Sequence, residues 1–266
     1  MIINPYVFGP SHDADALAWA AAVTGAGGTY SAATLTAVSN FCVAAKANGY
    51  WSKLTRINLF AGDQLAAALV PLKVGGGSAT DTNVNFVSGD YTEATGLAGN
   101  GSSKYLSTGL LASALTMADC HGFVYNRSSS AGSGGVHMAG TDGTNHFRFH
   151  LPWTDGNLYN DIGLLSRVTV ASLGSPYGFV GGTRTSTTLQ TAYRNGSAIG
   201  ADTTSVSAGL GNHAIYVFAS NNSDTATSYV GHTLGGYSIG AGLSGTDATN
   251  FNTDMQAFQT ALGRNV

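Results

Sequence analysis

Three side chains with hydrogen-bonding chemistry, His146, Arg148 and His150, alternate with Phe147, Phe149 and Leu151. On an extended strand successive side chains point to opposite faces, so this spacing puts the imidazoles and the guanidinium in one row and the apolar groups in the other. The apolar row feeds a core. The polar row can hydrogen-bond a sugar hydroxyl or a carboxylate, and Trp153 and Tyr159 follow closely as surfaces on which a sugar ring can stack. His146, Arg148, His150, Trp153 and Tyr159 are therefore candidate glycan-binding residues. The plainer alternative is a strand that faces solvent or a neighbouring subunit and carries no special chemistry.

Cutting a glycan asks for more than binding it. Retaining hydrolysis needs two carboxyl groups about 5–5.5 Å apart across the scissile bond. Glu93 is the single glutamate of the chain. Asp13, Asp15, Asp63, Asp81, Asp90, Asp142, Asp155, Asp161 and Asp224 sit beside Gly, Ser, Thr or Asn, or at helix starts, where carboxylates cap helices and close turns. An Asp pair, or Glu93 with Asp90, is the remaining route to hydrolysis. No catalytic residue is assigned.

Metal chemistry has equally little support. His146 and His150 are spaced as ligands would be on a helix, but on a strand their Cα atoms stand about 13 Å apart. Asp155-Gly156-Asn157 with Asp161 can offer oxygens to calcium, yet lacks the dense acid alternation of a dedicated loop and is expected to be a turn. Gly75-Gly76-Gly77-Ser78 lacks the lysine and the following helix of a phosphate-binding loop. Cys42 and Cys120 match no metal or redox spacing and are expected as buried thiols. Neither a metal nor a cofactor is expected.

The rest of the chain must position these groups. Of its 266 residues 43% are hydrophobic, 37 are glycine and only 9% are charged, against roughly a quarter in ordinary soluble proteins. Solubility must then come from Ser, Thr, Asn and the backbone, a composition common in extracellular and viral shell or fibre proteins. A net charge of -3 with 11 Lys and Arg gives no basic stripe, so nucleic acid is not an expected partner. No apolar run reaches the roughly 18–20 residues of a membrane span. The opening Met1-Ile2-Ile3-Asn4-Pro5 lacks the charged region and apolar core of a signal peptide.

Two helices are expected between residues 11 and 50. Ser11 stands at the first N-cap before Asp13 and Asp15, with Leu17, Ala20, Ala21 and Trp19 available for a buried face. The glycines between Gly25 and Gly28 break that helix. Ser31 starts the second, whose stripe is Leu35, Val38, Cys42 and Ala45 with Phe41 at its edge, and Asn48-Gly49 closes it. From about residue 56, β-branched and aromatic runs alternate with Gly, Ser, Asn and Asp, as in an antiparallel sandwich or barrel. Strands are expected at Asn83 to Val87, His121 to Asn126, His146 to Leu151, Val168 to Ala171, Gly178 to Thr183, Leu189 to Arg194 and Ala214 to Ala219. Asn195-Gly196 is a type I′ turn signal, Gly62 to Leu72 has a helical period, and Ser128 to Gly135 and Ser220 to Ser228 read as polar surface loops. At the end, a glycine-rich strand turns into a helix from Thr246 to Leu262, capped by Thr246 or Asp247. Its apolar stripe is Phe251, Met255, Phe258 and Leu262, and Gly263 follows as a left-handed cap.

Taken in order, these elements resemble a group of tailed-bacteriophage virion proteins that carry a concanavalin A-like, laminin-G-type jelly roll. The carriers are Ile3-Asn4-Pro5-Tyr6-Val7-Phe8, Asn48-Gly49-Tyr50-Trp51-Ser52-Lys53-Leu54, Asn85-Phe86 before Gly96 to Leu106, Tyr193-Arg194-Asn195-Gly196, Tyr237-Ser238-Ile239-Gly240 with Leu243-Ser244, and Ala257-Phe258 to Leu262-Gly263-Arg264. The resemblance implies that Gly96 to Leu106 is the first sandwich strand, and that the last strand hands over to the closing helix at Leu243-Ser244. It implies no catalytic motif.

The expected fold is therefore mainly β, an antiparallel jelly-roll β-sandwich over residues 56–243, with an N-terminal helical hairpin over 1–55 and a C-terminal helix over 244–266 packed on it. The expected function is that of a non-enzymatic structural component of a phage virion, in tail, fibre, baseplate or head decoration, presenting a lectin-like module for attachment or assembly. Other virion proteins are its expected partners, with homo-oligomerisation in the particle. The alternative is a lectin module that recognises host surface glycan; a polysaccharide-degrading enzyme ranks last.

Overall fold

Two sheets lie face to face in the computed structural model, which describes residues 12–129, 134–164, 166–175 and 177–266. The first sheet runs Ser197–Asp202, Leu189–Arg194, Gly178–Ser186, Cys120–Asn126, Thr233–Gly240, Leu54–Asn58, Lys73–Val74. The second runs Arg167–Val170, Leu158–Gly163, His146–His150, Met138–Thr141, Ala214–Val217, Tyr105–Leu111, Thr82–Val84. Neighbours in both orders pair antiparallel, giving the expected jelly-roll sandwich. Asn195 (φ 48°) and Gly196 (φ 78°) form the type I′ turn that joins two strands of the first sheet, with Arg194 opposite Ser197.

Alternation along the strands makes two cores. Between the sheets, Val124, Val180, Tyr237 and Ile239 meet Phe147, Phe149, Ile162 and Val217. On its other face the first sheet presents Phe123, Tyr125, Phe179 and Tyr193 to three helices, Ala14–Gly25, Ala32–Ala47 and Gly245–Ala261. Phe251 of the closing helix sits 4.6 Å from Phe179 and stacks on Tyr50 at 4.8 Å, centroid to centroid. The first sheet is thus helix-backed, and the second leaves its outer face open. No described helix is long and apolar enough to cross a membrane.

Several elements depart from expectation for local reasons. The first helix buries Ala16, Trp19, Ala20 and Val23, leaving Leu17 49% exposed and Ala21 outward. This is an i, i+3, i+4, i+7 set in which Trp19 and Ala20 are buried as expected, and Trp19 Nε1 donates to the Val70 carbonyl. Asp13 caps this helix by accepting from the Asp15 amide; Ser11 and the Ile3 to Phe8 motif lie outside the described residues. The closing helix is capped by Ser244 in a reciprocal box with Asp247, not by Thr246 or Asp247 alone. Its Phe251, Met255 and Phe258 are buried as expected, and Gly263 takes φ 67°.

Gly96 to Leu106 is not one strand. Asn100 Oδ1 accepts from the amides of Ser102, Ser103 and Lys104, and this turn separates Gly96–Ala98 in the helix-backed sheet from Tyr105–Leu111 in the open sheet. The strand expected at Asn83 to Val87 stops at Val84, because Asn85 turns with φ 65°, and the one expected to reach Ala219 stops at Val217, before Phe218 at φ 74°. Ser220 to Ser228 is not a plain surface loop either. Ser220–Asn222 pairs with Thr225–Thr227 as a hairpin and runs parallel to Met138–Thr141, with Asn221 fully buried.

Candidate functional site

His146–His150 lies in the open sheet with Phe147 and Phe149 in the core and His146, Arg148 and His150 on the outer side. Register then fixes their neighbours. Asp161 stands opposite Arg148 on one side and Arg167 on the other, and Tyr159 stands opposite His150. Arg148 donates to Asp161 Oδ2 from Nε (3.0 Å) and Nη2 (2.7 Å). Arg167 donates from Nε to Oδ1 (2.6 Å) and from Nη2 to Oδ2 (2.9 Å). Burial alone would push the Asp161 carboxyl up, but the two guanidiniums hold it below the ordinary carboxylate range. Two cations fixed on one anion leave this part of the surface with a surplus of N–H donors.

The aromatic groups are arranged unequally. Trp153, half-buried in the turn after the strand, stands edge-on to His150 with ring centroids 4.7 Å apart. His150 is 7% exposed, and its Nδ1 has no hydrogen-bond partner among the described residues. Burial pushes its imidazole down to about 4, so the ring is neutral at pH 7. Tyr159, expected as a second stacking surface, is covered: the Arg167 guanidinium lies 4.7 Å from its ring centroid, and its hydroxyl donates to Asp155. Trp153 therefore carries the available aromatic face of this cluster.

Together these groups line a depression of about 470 Å³ that includes Arg148, His150, Trp153, Tyr159 and Arg167. Ser220, Asn222 and Thr227 of the hairpin also line it. A second depression of about 370 Å³ adjoins it, with His146, Thr144, Asp161 and Ser166 in its lining; Gly143 and Arg167 belong to both. The structure thus gathers Arg148, His150, Trp153 and Tyr159 at one end of a trough and puts His146 at the other. His146 accepts or donates at Nδ1 to the Thr141 hydroxyl (2.7 Å), and burial lowers its pKa.

Arg167 and the hairpin were not singled out from sequence as binding groups, and Asp161 was weighed only as a possible calcium ligand. The alternation Arg167-Val168-Thr169-Val170 carried the signal for Arg167, whereas an expected start at Val168 left it outside the strand. Asp161 looked like a turn residue because its partners lie on two other strands.

Glu93, Asp90 and Asp155 have fixed partners of their own. Glu93 accepts from the Thr34 hydroxyl (2.9 Å) and the Gly62 amide (2.8 Å), tying the second helix to the sandwich. Asp90 accepts from the Lys104 ammonium (2.5 Å) and the Val87 amide (2.7 Å). Asp155 accepts from the Asn157 amide, as a turn residue does. Among the described residues no group of three His, Cys, Asp or Glu side chains could hold a metal ion. Cys42 and Cys120 are free, buried thiols, both pushed up to about 12 by burial.

No protein-family model matches the sequence, and no curated protein matches it. Solved structures are similar at low identity, each with a TM-score below 0.5. The chain is similar to the NanB sialidase of Streptococcus pneumoniae, at 12% identity and TM-score 0.44 over 53% of this chain and 25% of that one, so it spans about a quarter of that enzyme. It is similar to the Ruminococcus gnavus IT-sialidase CBM40, at 10% identity and TM-score 0.42, over 64% of this chain and 96% of that one. Domain 4 of AbnA, an extracellular GH43 arabinanase of Geobacillus stearothermophilus solved with arabinotriose, matches at 15% identity and TM-score 0.47, over 75% of this chain and 98% of that one. These likenesses concern the fold alone.

Proposed function

We propose that the protein is a non-enzymatic attachment component that binds a host surface glycan in the trough of its open sheet. One observation carries this reading: the half-buried Trp153 ring stands in a concave surface that the imidazole of His150 and the paired guanidiniums of Arg148 and Arg167 also line. An aromatic face with converging hydrogen-bonding groups suits a sugar, whose C–H face stacks while its hydroxyls bond. The carboxylates of the trough speak against hydrolysis. Asp155 and Asp161 both have lowered pKa values, so neither keeps the proton that a general acid must deliver at neutral pH.

The setting we propose is a tailed-phage particle, with the sandwich as a rigid exposed module and other virion proteins, including further copies of this chain, as neighbours. The resemblance of the sequence and its low charge support that setting. Mass spectrometry of purified particles tests it, and particles without this polypeptide would end it. A glycan array tests the binding itself: signal on host polysaccharides that disappears in Trp153→Ala is the expected result, and silence across the array overturns it.

A further inference from the structure

Granting the glycan reading, we infer that the trough takes an internal stretch of a linear polysaccharide, several sugars long, and not one terminal sugar. The two depressions adjoin, sharing Gly143 and Arg167, and either one alone, about 470 or 370 Å³, falls in the range of a complete small-molecule site. The hydrogen-bonding groups are spread to match. His150, Arg148 and His146 follow one another on the outer side of one strand, a run of about 13 Å from the first to the last.

Arg167 occupies the junction. One edge of its guanidinium is fixed by Asp161 and its face by Tyr159, yet its side chain remains 46% exposed and lines both depressions. It can donate to sugars on either side of it. The hairpin of Ser220–Asn222 and Thr225–Thr227 contributes Ser220, Asn222 and Thr227 to the lining of the first depression. With Trp153 the one uncovered ring of the cluster, affinity must build up from many polar contacts along the chain. A single sugar at Trp153 would leave His146 and Thr144 unused.

The test is affinity electrophoresis of the whole protein through gels containing purified host capsular polysaccharides. Any retardation is then competed with size-fractionated fragments of the same polymer. Hexasaccharides are expected to compete at least tenfold better than disaccharides. His146→Ala and Thr144→Trp, the second of which fills the far depression from an exposed turn, are expected to narrow that ratio. Competition by a monosaccharide equal to that of the hexasaccharide overturns the inference, as does loss of binding after exoglycosidase trimming of chain ends, or an unchanged ratio in both variants. In those outcomes glycan binding itself stands. Absence of retardation by every polysaccharide removes the glycan reading and this inference with it.

Discussion

The guanidinium of Arg167 lies over the ring of Tyr159, 4.7 Å from its centroid, while its Nε and Nη2 hold the carboxylate of Asp161. One side chain thereby covers an aromatic face and helps neutralise an anion that is 98% shielded from solvent. Arg148 shares that anion, so the outer row of the open sheet is braced across three strands.

This bracing separates recognition from stability. Arg167→Ala leaves Asp161 still paired with Arg148, and Arg167 is itself half-exposed, so the loss of stability should be about 1 kcal/mol after solvent screening. Glycan affinity should fall at least tenfold, because the junction donor is gone. Trp153→Ala should abolish binding with a similarly small change in stability. Chemical denaturation beside binding isotherms checks both variants; a variant that unfolds in proportion to its loss of binding would show the trough residues to be structural.

Acid should weaken the fold in a defined window. His121 is fully buried, with Nδ1 2.5 Å from the Ala241 carbonyl and Nε2 2.8 Å from the Ser238 hydroxyl. A carbonyl can only accept, so Nδ1 carries the proton and the neutral ring accepts from Ser238. Burial pushes His121 and His150 down to about 4, and His137, against His232 at 2.8 Å, well below its ordinary value. The unfolded chain takes up protons near pH 6.5 and the folded one does not, so stability is full above 6.5 and drains away as pH falls to about 4. About 3–4 kcal/mol per imidazole is at stake at most for a shift of this size. Melting temperatures between pH 7.5 and 4.5 should fall steadily, and His121→Gln, which keeps one donor and one acceptor, should flatten the curve. A flat profile in the parent protein would contradict the neutral, buried imidazoles.

Sequence reading went furthest where a local pattern and the tertiary contact agreed. The strand from His146 was legible because alternation alone decides which side chains face the core, and the Asn195-Gly196 turn because the backbone there needs positive φ at both residues. The face of the first helix was legible in part: Trp19 and Ala20 are buried as expected, whereas Leu17 and Ala21 point outward and Ala16 and Val23 take their place. Only contact with Val70 shows that Trp19 fixes the rotation. The trough had the same division. His146, Arg148 and His150 belong to one strand and could be read together, whereas Asp161, Arg167 and the hairpin reach it through strand pairing, a long-range fact that no window of sequence contains. Covering of Tyr159 by Arg167 follows from the same pairing.

Within the sandwich, Asp81 accepts from Arg56 Nη2 (2.7 Å), Tyr237 Oη (2.7 Å) and Asn58 Nδ2 (2.8 Å), and all four residues are fully or almost fully buried. Asp81→Ala would strand the Arg56 cation away from water. A loss of about 3–5 kcal/mol is expected, far beyond that of a surface ion pair. Replacing both partners, Arg56→Met with Asp81→Leu, should recover part of it because no uncompensated charge remains. Urea denaturation of the three variants checks the order, and a double variant less stable than Asp81→Ala would count against the account.

Near the end of the chain, Arg264 is fully buried and donates to the carbonyls of Leu59 (2.7 Å), Phe60 (2.9 Å), Glu93 (2.9 Å) and Gly235 (3.0 Å), and to Gln259 Oε1 (2.7 Å). The planar fork of a guanidinium can reach all of these at once, whereas a lysine ammonium is a single point with three donors. Arg264→Lys should therefore fail to restore what Arg264→Ala loses. Each carbonyl left without a donor costs about 1–3 kcal/mol, so the alanine variant should lose more than about 3 kcal/mol even if water re-enters part of the space. Because three of these four carbonyls belong to the segment after the strand Leu54–Asn58 and to the strand Thr233–Gly240, the loss should appear as one cooperative transition at lower temperature, not as fraying of the last helix. Calorimetry distinguishes the two: a separate low-temperature transition confined to the closing helix would mean that Arg264 fastens only the tail.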